Sequence, residues 1–493
     1  MELQPLLHDL LVAVHAPTQA WSASDGQVRA RGAQGFYDGD LRVLSRAELA
    51  VGTELETEPE AVVGGPAGPG AVEVVALLRS VDEPPPDPTL RLRRRREVLP
   101  GAVTERLEVA GATVEAVRIP LVLALASDLA TMEDVKAGRA VPSLPAAAPG
   151  ADDGDAVLVW RRDDVVVRVH APGAVADLAD PTAPRVRWDV ELGPGRTHEL
   201  TWRVEVVGGQ VPVLPASAGR TWSRPTVRAD DHRLAPLLAR SLEDLEGLRM
   251  CARFAPDDVF VAAGAPWFFT LFGRDSLWAA RMLLPLGTEL AAGTLRTLAA
   301  RQGRRSDPAT AEQPGKILHE VRATHLDLGD GTVLPPVYFG TVDATPLWVC
   351  VLHDAWRWGM PADEVEALLP AAEAALEWMV RYGDADGDGF LEYLDETGTG
   401  LANQGWKDSG DSVQWRDGTL ATGPIALSEV QAYAHEAALG GAALLEAFGR
   451  PGADRWRAWA ADLRERFRAA FWVDAADGSG RYPAIALDAD KRP

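Results

Sequence analysis

The chain has 493 residues, 47% of them hydrophobic, which is more than one ordinary domain needs and enough to bury more than one core. With 72 acidic against 49 basic residues the formal charge is -23, so the surface repels a phosphate backbone and an anionic membrane alike, and neither nucleic acid nor a membrane is expected as partner. Cys251 and Cys350 are the only two cysteines, and without a C-x-x-C spacing they exclude a disulfide framework or a zinc knuckle and read as buried thiols.

The first residues, MELQPLLHDLLVAV, carry an acidic side chain where a secretory leader wants basic ones, and His8 and Asp9 break the apolar run, so a cytoplasmic protein is expected. No apolar run approaches the ~18 residues of a membrane span. Residues 41–207 then fall into short alternating runs such as LRVLSRAELAV, AVEVVALLRSV, TLRLRRRREVLP and RVRWDVELG. Period-two alternation broken by Gly, Pro and Asp predicts an antiparallel β-sandwich. The arginine run RLRRRREV, on such a strand and in so acidic a chain, predicts a solvated sheet face in preference to a polyanion patch. Pro- and Ala-rich insertions between the strands predict surface loops.

After residue 225 the apolar spacing changes to three and four, from HRLAPLLARSLEDLEGLRM through to ADRWRAWAADLRERFRAAFWV, and seven helices are expected. Residues 1–225 are thus assigned to a β domain and 226–493 to a helical one, a multidomain α and β organisation. The loops between the helices alternate short and long, and the long ones are where function is expected.

Within DADGDGFLEYLDE, Asp384, Asp386 and Asp388 followed by Gly389 match the first half of an EF-hand loop, but the twelfth position is Asp395 where a Glu is wanted, and no exit helix follows. An acidic turn leading into a short strand is the favoured reading, with Asp384, Asp386 and Asp388 as the candidate calcium ligands of the alternative; no other cofactor is expected. HEVRATH has its histidines six apart, the wrong spacing for a zinc helix, while Glu320, Arg322 and Asp343 form either a polar sugar clamp or loop-ordering ion pairs. A phosphate-cradling loop and a G-x-S-x-G elbow are both absent, which removes phosphoryl transfer and serine hydrolysis.

Carboxylates among aromatics remain. NQGWKDSGDSVQW sets Asp408 and Asp411 between Trp406 and Trp415, and a carboxyl beside an indole in a partly dry cleft holds its proton toward neutrality, as glycosidic cleavage requires. PWFFTLFGRDSLWAA sets Arg274 and Asp275 behind Trp267 and Phe268, expected as substrate-binding aromatics whose flat faces suit the C–H side of a sugar, with Asp275 in the expected N-cap position and the Arg-Asp pair able to meet vicinal sugar hydroxyls.

Through LFGRDSLWAA, GTVDATPLWV, GFLEYLDETGTGLANQGWKDSGDS and PIALSEVQAYA the chain resembles the amylo-alpha-1,6-glucosidase or glycogen-debranching-like glycosidases, and its β region resembles the domain that precedes their catalytic domain in bacteria. The resemblance implies a glucoamylase- or trehalase-like six-hairpin toroid, an (α/α)6 barrel, with inverting hydrolysis of α-glucosidic linkages. It implies Arg274 and Asp275 as a glucose-hydroxyl clamp, Asp408 as general acid with Asp411 as the alternative, Trp406 as a wall of the sugar site with Lys407 beside it, and Asp343 and Glu429 as further acidic contacts. The family's general base comes from a late barrel segment, whereas this sequence ends at LDADKRP after seven helices. An incomplete barrel in a truncated or split chain is therefore expected, lacking the base and open to dimerisation or a complementing chain. The alternative function is a non-catalytic carbohydrate-binding or partner-completed protein.

Overall fold

The computed structural model describes residues 6–52, 56–82, 87–209, 211–217, 222–329, 331–407, 409–475 and 477–493. Contacts divide the chain into two units, 1–215 with 226–249 and 264–269, and 216–225 with 250–263 and 270–493.

In the first unit the alternating runs become strands. A seven-stranded sheet runs in the order Leu158–Arg162, Val165–His170, Thr197–Val207, Ala102–Gly111, Leu90–Leu99, Ala71–Leu77 and Glu60–Pro66, with antiparallel pairing throughout. A four-stranded sheet, Val175–Asp177, Arg185–Leu192, Val117–Ala126 and Arg46–Val51, packs over it. Leu92, Val103, Leu107 and Trp160 from one sheet and Leu121, Leu123, Val186 and Trp188 from the other share a continuous core, the sandwich that period-two alternation demands. The run expected as one strand over 41–51 is divided: Leu41–Leu44 joins a second four-stranded sheet, and the chain changes sheets after Ser45.

The arginine run departs from the expected solvated face. Arg91 and Arg93 are exposed, but Arg94 and Arg96 alternate inward and are 2% and 1% exposed. Their counter-charge is Glu105, which faces Arg96 across the adjoining strand and accepts from Arg94 Nε at 3.0 Å and Arg96 Nη2 at 3.2 Å. Trp202 Nε1 donates to Glu105 at 3.0 Å, Gln27 accepts from Arg94 at 2.9 Å, and the Arg96 guanidinium lies 4.9 Å from the Phe36 ring centroid. Burial alone would raise the Glu105 pKa. The charges of Arg94 and Arg96, with the hydrogen bonds of Arg94 and Trp202, hold it below the ordinary carboxylate value instead.

Two helices lie in this unit: α1 (Met132–Lys136) and α2 (Leu234–Gly247). The expected helical domain from residue 226 therefore begins later than the periodicity indicates. Helix α2 buries only Leu242, leaves Leu237 exposed, and accepts the Ala16 N–H on the Gly247 carbonyl at 2.8 Å, so its companions are strands of the first unit.

The second unit holds α3 (Gly273–Met282), α4 (Glu289–Ala300), α5 (Ala344–Arg357), α6 (Ala362–Arg381), α7 (Ser428–Ala447) and α8 (Ala453–Ala470). Helix α5 packs against α3, α4, α6 and α7, which is why TPLWVCVL is apolar all round and buried on every face. Helix α7 approaches α5 and α6 closely at Gly440 and Gly441, where an added Cβ would stand 3.0 Å from His353 Cβ and 2.7 Å from Leu376 Cδ1. Both cysteines are buried, and neither is in a disulfide. Among the described residues no helix is long and apolar enough to cross a membrane.

Removing one partner from a buried ion network leaves an uncompensated charge, so Glu105→Ala is expected to cost about 3–5 kcal/mol in urea unfolding at pH 7, and Arg91→Ala, on the outward side of the same strand, within about 0.5 kcal/mol. Because the folded Glu105 pKa lies below its unfolded value, its contribution is complete above ~4.3, the ordinary Glu value, and disappears as pH falls through the lower folded value. The stability difference between wild type and Glu105→Gln should shrink on acidification; a difference independent of pH would contradict this assignment.

Candidate functional site

GRDS opens α3, but three residues earlier than a cap at Asp275 requires. The N-cap is Phe272, whose carbonyl accepts the Ser276 N–H at 3.1 Å, and Gly273 N–H donates to the His319 carbonyl at 2.8 Å. A Cβ on Gly273 would come within 2.1 Å of the Leu318 carbonyl oxygen, so this helix can begin against that segment only with glycine. Asp275 is consequently the third helical residue, half-exposed, with its carboxylate 4.0 Å from Arg274 Nε.

Arg274 is 8% exposed and its principal partner is another carboxylate. Its Nη1 donates to Asp343 Oδ2 at 3.0 Å and to the Gly405 carbonyl at 2.7 Å. Asp343, at the entry to α5 and fully buried, also accepts from Thr341 Oγ1 at 2.6 Å, and Val342 N–H donates to the Gln404 carbonyl at 2.9 Å. One guanidinium thus joins the start of α3, the start of α5 and the turn carrying NQGW. A Cβ at Gly405 would stand 2.2 Å from Leu427 Cδ1, so a larger residue there has to displace the end of that side chain.

The same turn leads into an open cleft of about 440 Å³ lined by Trp406, Lys407, Ser412, Leu427 and Glu429. The Trp406 indole is 57% exposed, with the Lys407 ammonium 5.2 Å from its centroid, so an apolar face and a cation border the opening. Glu429, in the first turn of α7, is half-buried. Burial raises its pKa above the ordinary glutamate value and the Asp343 charge adds to this, against smaller opposing effects of its own backbone hydrogen bond and of Lys407 and Arg274. Arg274, Asp343, Lys407 and Glu429 therefore form one electrostatic group.

Other expected site residues are placed differently. Asp408 lies outside the described residues. Asp411 is exposed on a turn beside Ser412. Glu320 is 2% exposed and bound to Arg322 at 2.8 Å, the arrangement of a pair that orders its loop; that loop also carries His319, neutral because burial and the nearby Arg274, Arg322 and Lys316 charges push its pKa well down. Trp267 belongs to a core cluster of the first unit with Trp21, Tyr37 and Met132, so it is a packing residue, and Phe268 lies with its centroid 4.9 Å from the Lys136 ammonium. Asp384, Asp386 and Asp388 do converge, together with Glu392. The strand expected after them reduces to a single bridge between Tyr393 and Ile425.

Two aromatics at the site escaped the sequence reading. Tyr433 stands one turn beyond Glu429 on α7, its pKa raised by burial and by the Glu429 and Asp343 charges. It meets Trp278, one turn beyond Arg274 on α3, edge to face with centroids 5.9 Å apart. The signal was the i, i+4 spacing from each charged residue to its aromatic.

Residues 14–203 match the family model described as the N-terminal domain of some glycogen debranching enzymes. No curated protein matches the sequence. Among solved structures, a bacterial glucoamylase complexed with acarbose is similar over 98% of this chain and 71% of its own length, with TM-score 0.56 and 10% identity. A human-microbiome protein assigned as a kojibiose phosphorylase is similar over 94% of this chain and 68% of its own length, with TM-score 0.52 and 8% identity. At such identities the likeness is one of fold. Antiparallel sheets followed by a helical part are common to this chain and to the glucoamylase-like six-hairpin structures.

Proposed function

We propose that the chain is a glycoside hydrolase of the amylo-alpha-1,6-glucosidase type, acting on α-glucosidic linkages of a glucan or oligosaccharide with inversion. The observation that carries this reading is the convergence of Arg274, Asp343 and Glu429 on the turn that presents Trp406 to an open cleft. An exposed indole offers its face to the C–H side of a pyranose, while the carboxylates and Lys407 offer acceptors and a donor to its hydroxyls. The debranching-type N-terminal domain and the glucoamylase-like fold both support a saccharide in that cleft.

In this reading Asp408, two residues beyond Trp406, gives its proton to the glycosidic oxygen as the bond to the anomeric carbon breaks. Water enters from the opposite face, deprotonated by a second carboxylate about 6.5–9.5 Å from the first, a general base to which no residue of this chain is assigned. The neighbouring backbone is well held: Asn403 Nδ2 donates to the Ser409 carbonyl at 2.6 Å, and Ser412 Oγ donates to the Lys407 carbonyl at 2.8 Å. Arg274 acts by holding the turn, with Asp275 and Glu429 directed to substrate hydroxyls.

The test is hydrolysis of α-1,6- and α-1,4-linked gluco-oligosaccharides followed by NMR of the released sugar, with and without inorganic phosphate. First release of the β-anomer without phosphate is expected, and Asp408→Asn should lower turnover by about 10²–10⁴-fold with oligosaccharide binding retained. Binding without turnover in the wild type would favour the carbohydrate-binding alternative, and first release of the α-anomer would exclude inversion. For Glu429 the sign is opposite to that of Glu105: its folded pKa lies above the unfolded one, so ionisation opposes folding as pH rises through that range. Glu429→Gln should therefore melt at a higher temperature than wild type at pH 8 and close to it at pH 4, while binding oligosaccharide more weakly.

A further inference from the structure

The acidic turn after α6 is built differently from the linear EF-hand reading. Asp384 Oδ1 and Oδ2 accept the Gly387 and Gly389 N–H groups at 2.7 and 2.9 Å, Asp386 Oδ1 accepts from Asp388 N–H at 3.2 Å, and Asp388 Oδ1 from Phe390 N–H at 2.9 Å. The backbone thus fixes one oxygen of Asp386 and one of Asp388, leaving their second oxygens directed elsewhere. Asp395, at the twelfth position, turns away to accept from Thr397 N–H at 3.1 Å and Gly400 N–H at 3.0 Å. The fourth carboxylate is Glu392, at the ninth position. Its backbone N–H closes the loop on the Gly383 carbonyl at 2.7 Å, and its sequence neighbours Leu391 and Tyr393 are buried as it is.

One carboxylate oxygen from each of Asp384, Asp386, Asp388 and Glu392 lies within 4.8 Å of the others. One cation already sits among them. The Lys491 ammonium is 2.9 Å from Asp386 Oδ2 and 3.2 Å from Asp388 Oδ2, and also contacts Glu392 Oε1. It is delivered by a turn wound on Asp488, which accepts the Asp490 and Arg492 N–H groups at 3.0 and 2.9 Å. A single ammonium against four carboxylates leaves the cluster strongly negative. Independently of the cluster's acidity, Glu392 Oε2 is buried without a hydrogen-bond partner, in a residue 5% exposed. A buried carboxylate oxygen with nothing to meet costs its full desolvation, and a ligand at this point would remove that cost.

We propose that residues 384–392 form a calcium site with Asp384, Asp386, Asp388 and Glu392 as side-chain ligands, and that Lys491 is an internal cation which calcium displaces. A set of several carboxylate oxygens suits calcium, which accepts six to eight oxygens in irregular geometry, better than magnesium, which demands a near-ideal octahedron and keeps its waters. The site lies behind the cleft and supplies no reacting group. Its link to the cleft is Tyr393, whose hydroxyl donates to Asn403 Oδ1 at 2.5 Å, so order at Glu392 passes to the turn before Trp406.

The test uses the full chain, freed of metal with chelator and titrated with calcium chloride by calorimetry, with magnesium chloride as the comparison. One equivalent of calcium is expected to bind, magnesium much more weakly, and calcium should raise the melting temperature. Asp386→Asn, at an exposed position that keeps the fold, should weaken calcium binding by about tenfold or more, and Lys491→Met should tighten it by removing the competitor. No calcium binding at about 10⁻³ M by either the wild type or Lys491→Met would overturn the site. Equal affinity of wild type and Lys491→Met would overturn the displacement, and unchanged affinity in Asp386→Asn would remove these carboxylates as ligands. These readouts do not depend on glycoside hydrolysis.

Discussion

The site depends on one buried guanidinium. Arg274 is paired with Asp343 at 3.0 Å and bonded to the Gly405 carbonyl at 2.7 Å, which holds the first turn of α3, the first turn of α5 and the turn before Trp406 in a fixed relation. A planar donor fork can meet a carboxylate and a carbonyl simultaneously; a lysine, with a point charge on a flexible stem, fixes neither direction. Glycine at 273 is what allows the backbone to come close enough to Leu318, whose carbonyl oxygen a Cβ would strike. The charge is neutralised locally, so the half-buried Glu429 nearby can retain a raised pKa without losing its place in the fold.

The same device recurs in the first unit. Arg94 and Arg96 converge on Glu105 within the sheet, with Trp202 and Gln27 completing the hydrogen bonds. In a chain of formal charge -23, cations in the interior and unpaired acids at the surface are a natural partition: buried arginines find carboxylates, while excess aspartates remain hydrated. The loop at 384–392 is the exception, since its acids are drawn inward around Lys491 and one oxygen of Glu392 is left without a partner.

Much of the architecture was legible because it follows from periodicity. Strands such as Leu90–Leu99 and Arg185–Leu192 alternate because one face must be apolar, and helices such as α6 and α8 repeat at three and four residues for the same reason. The arginine run was misjudged at Arg94 and Arg96, because alternation predicts which residues face inward but only the neighbouring strand brings Glu105 opposite them. Helix α2 was recognised as a helix, while its companions were decided by strands far from it in sequence. Trp267 looked like a sugar platform, yet the first unit's core takes it up.

At the site, the sequence by itself determined the residue types: an arginine beside an aspartate before a helix, carboxylates among indoles, and an acidic loop with regular spacing. Tertiary structure decided the partnerships. Arg274 takes Asp343, sixty-nine positions away, in preference to its neighbour Asp275, and the acidic loop takes Glu392 in preference to Asp395. The physical reason is common to both. Hydrogen bonds and ion pairs are satisfied by what lies within about 3 Å, and apart from local helical or strand spacing that proximity is set by packing of distant elements, which sequence order does not record.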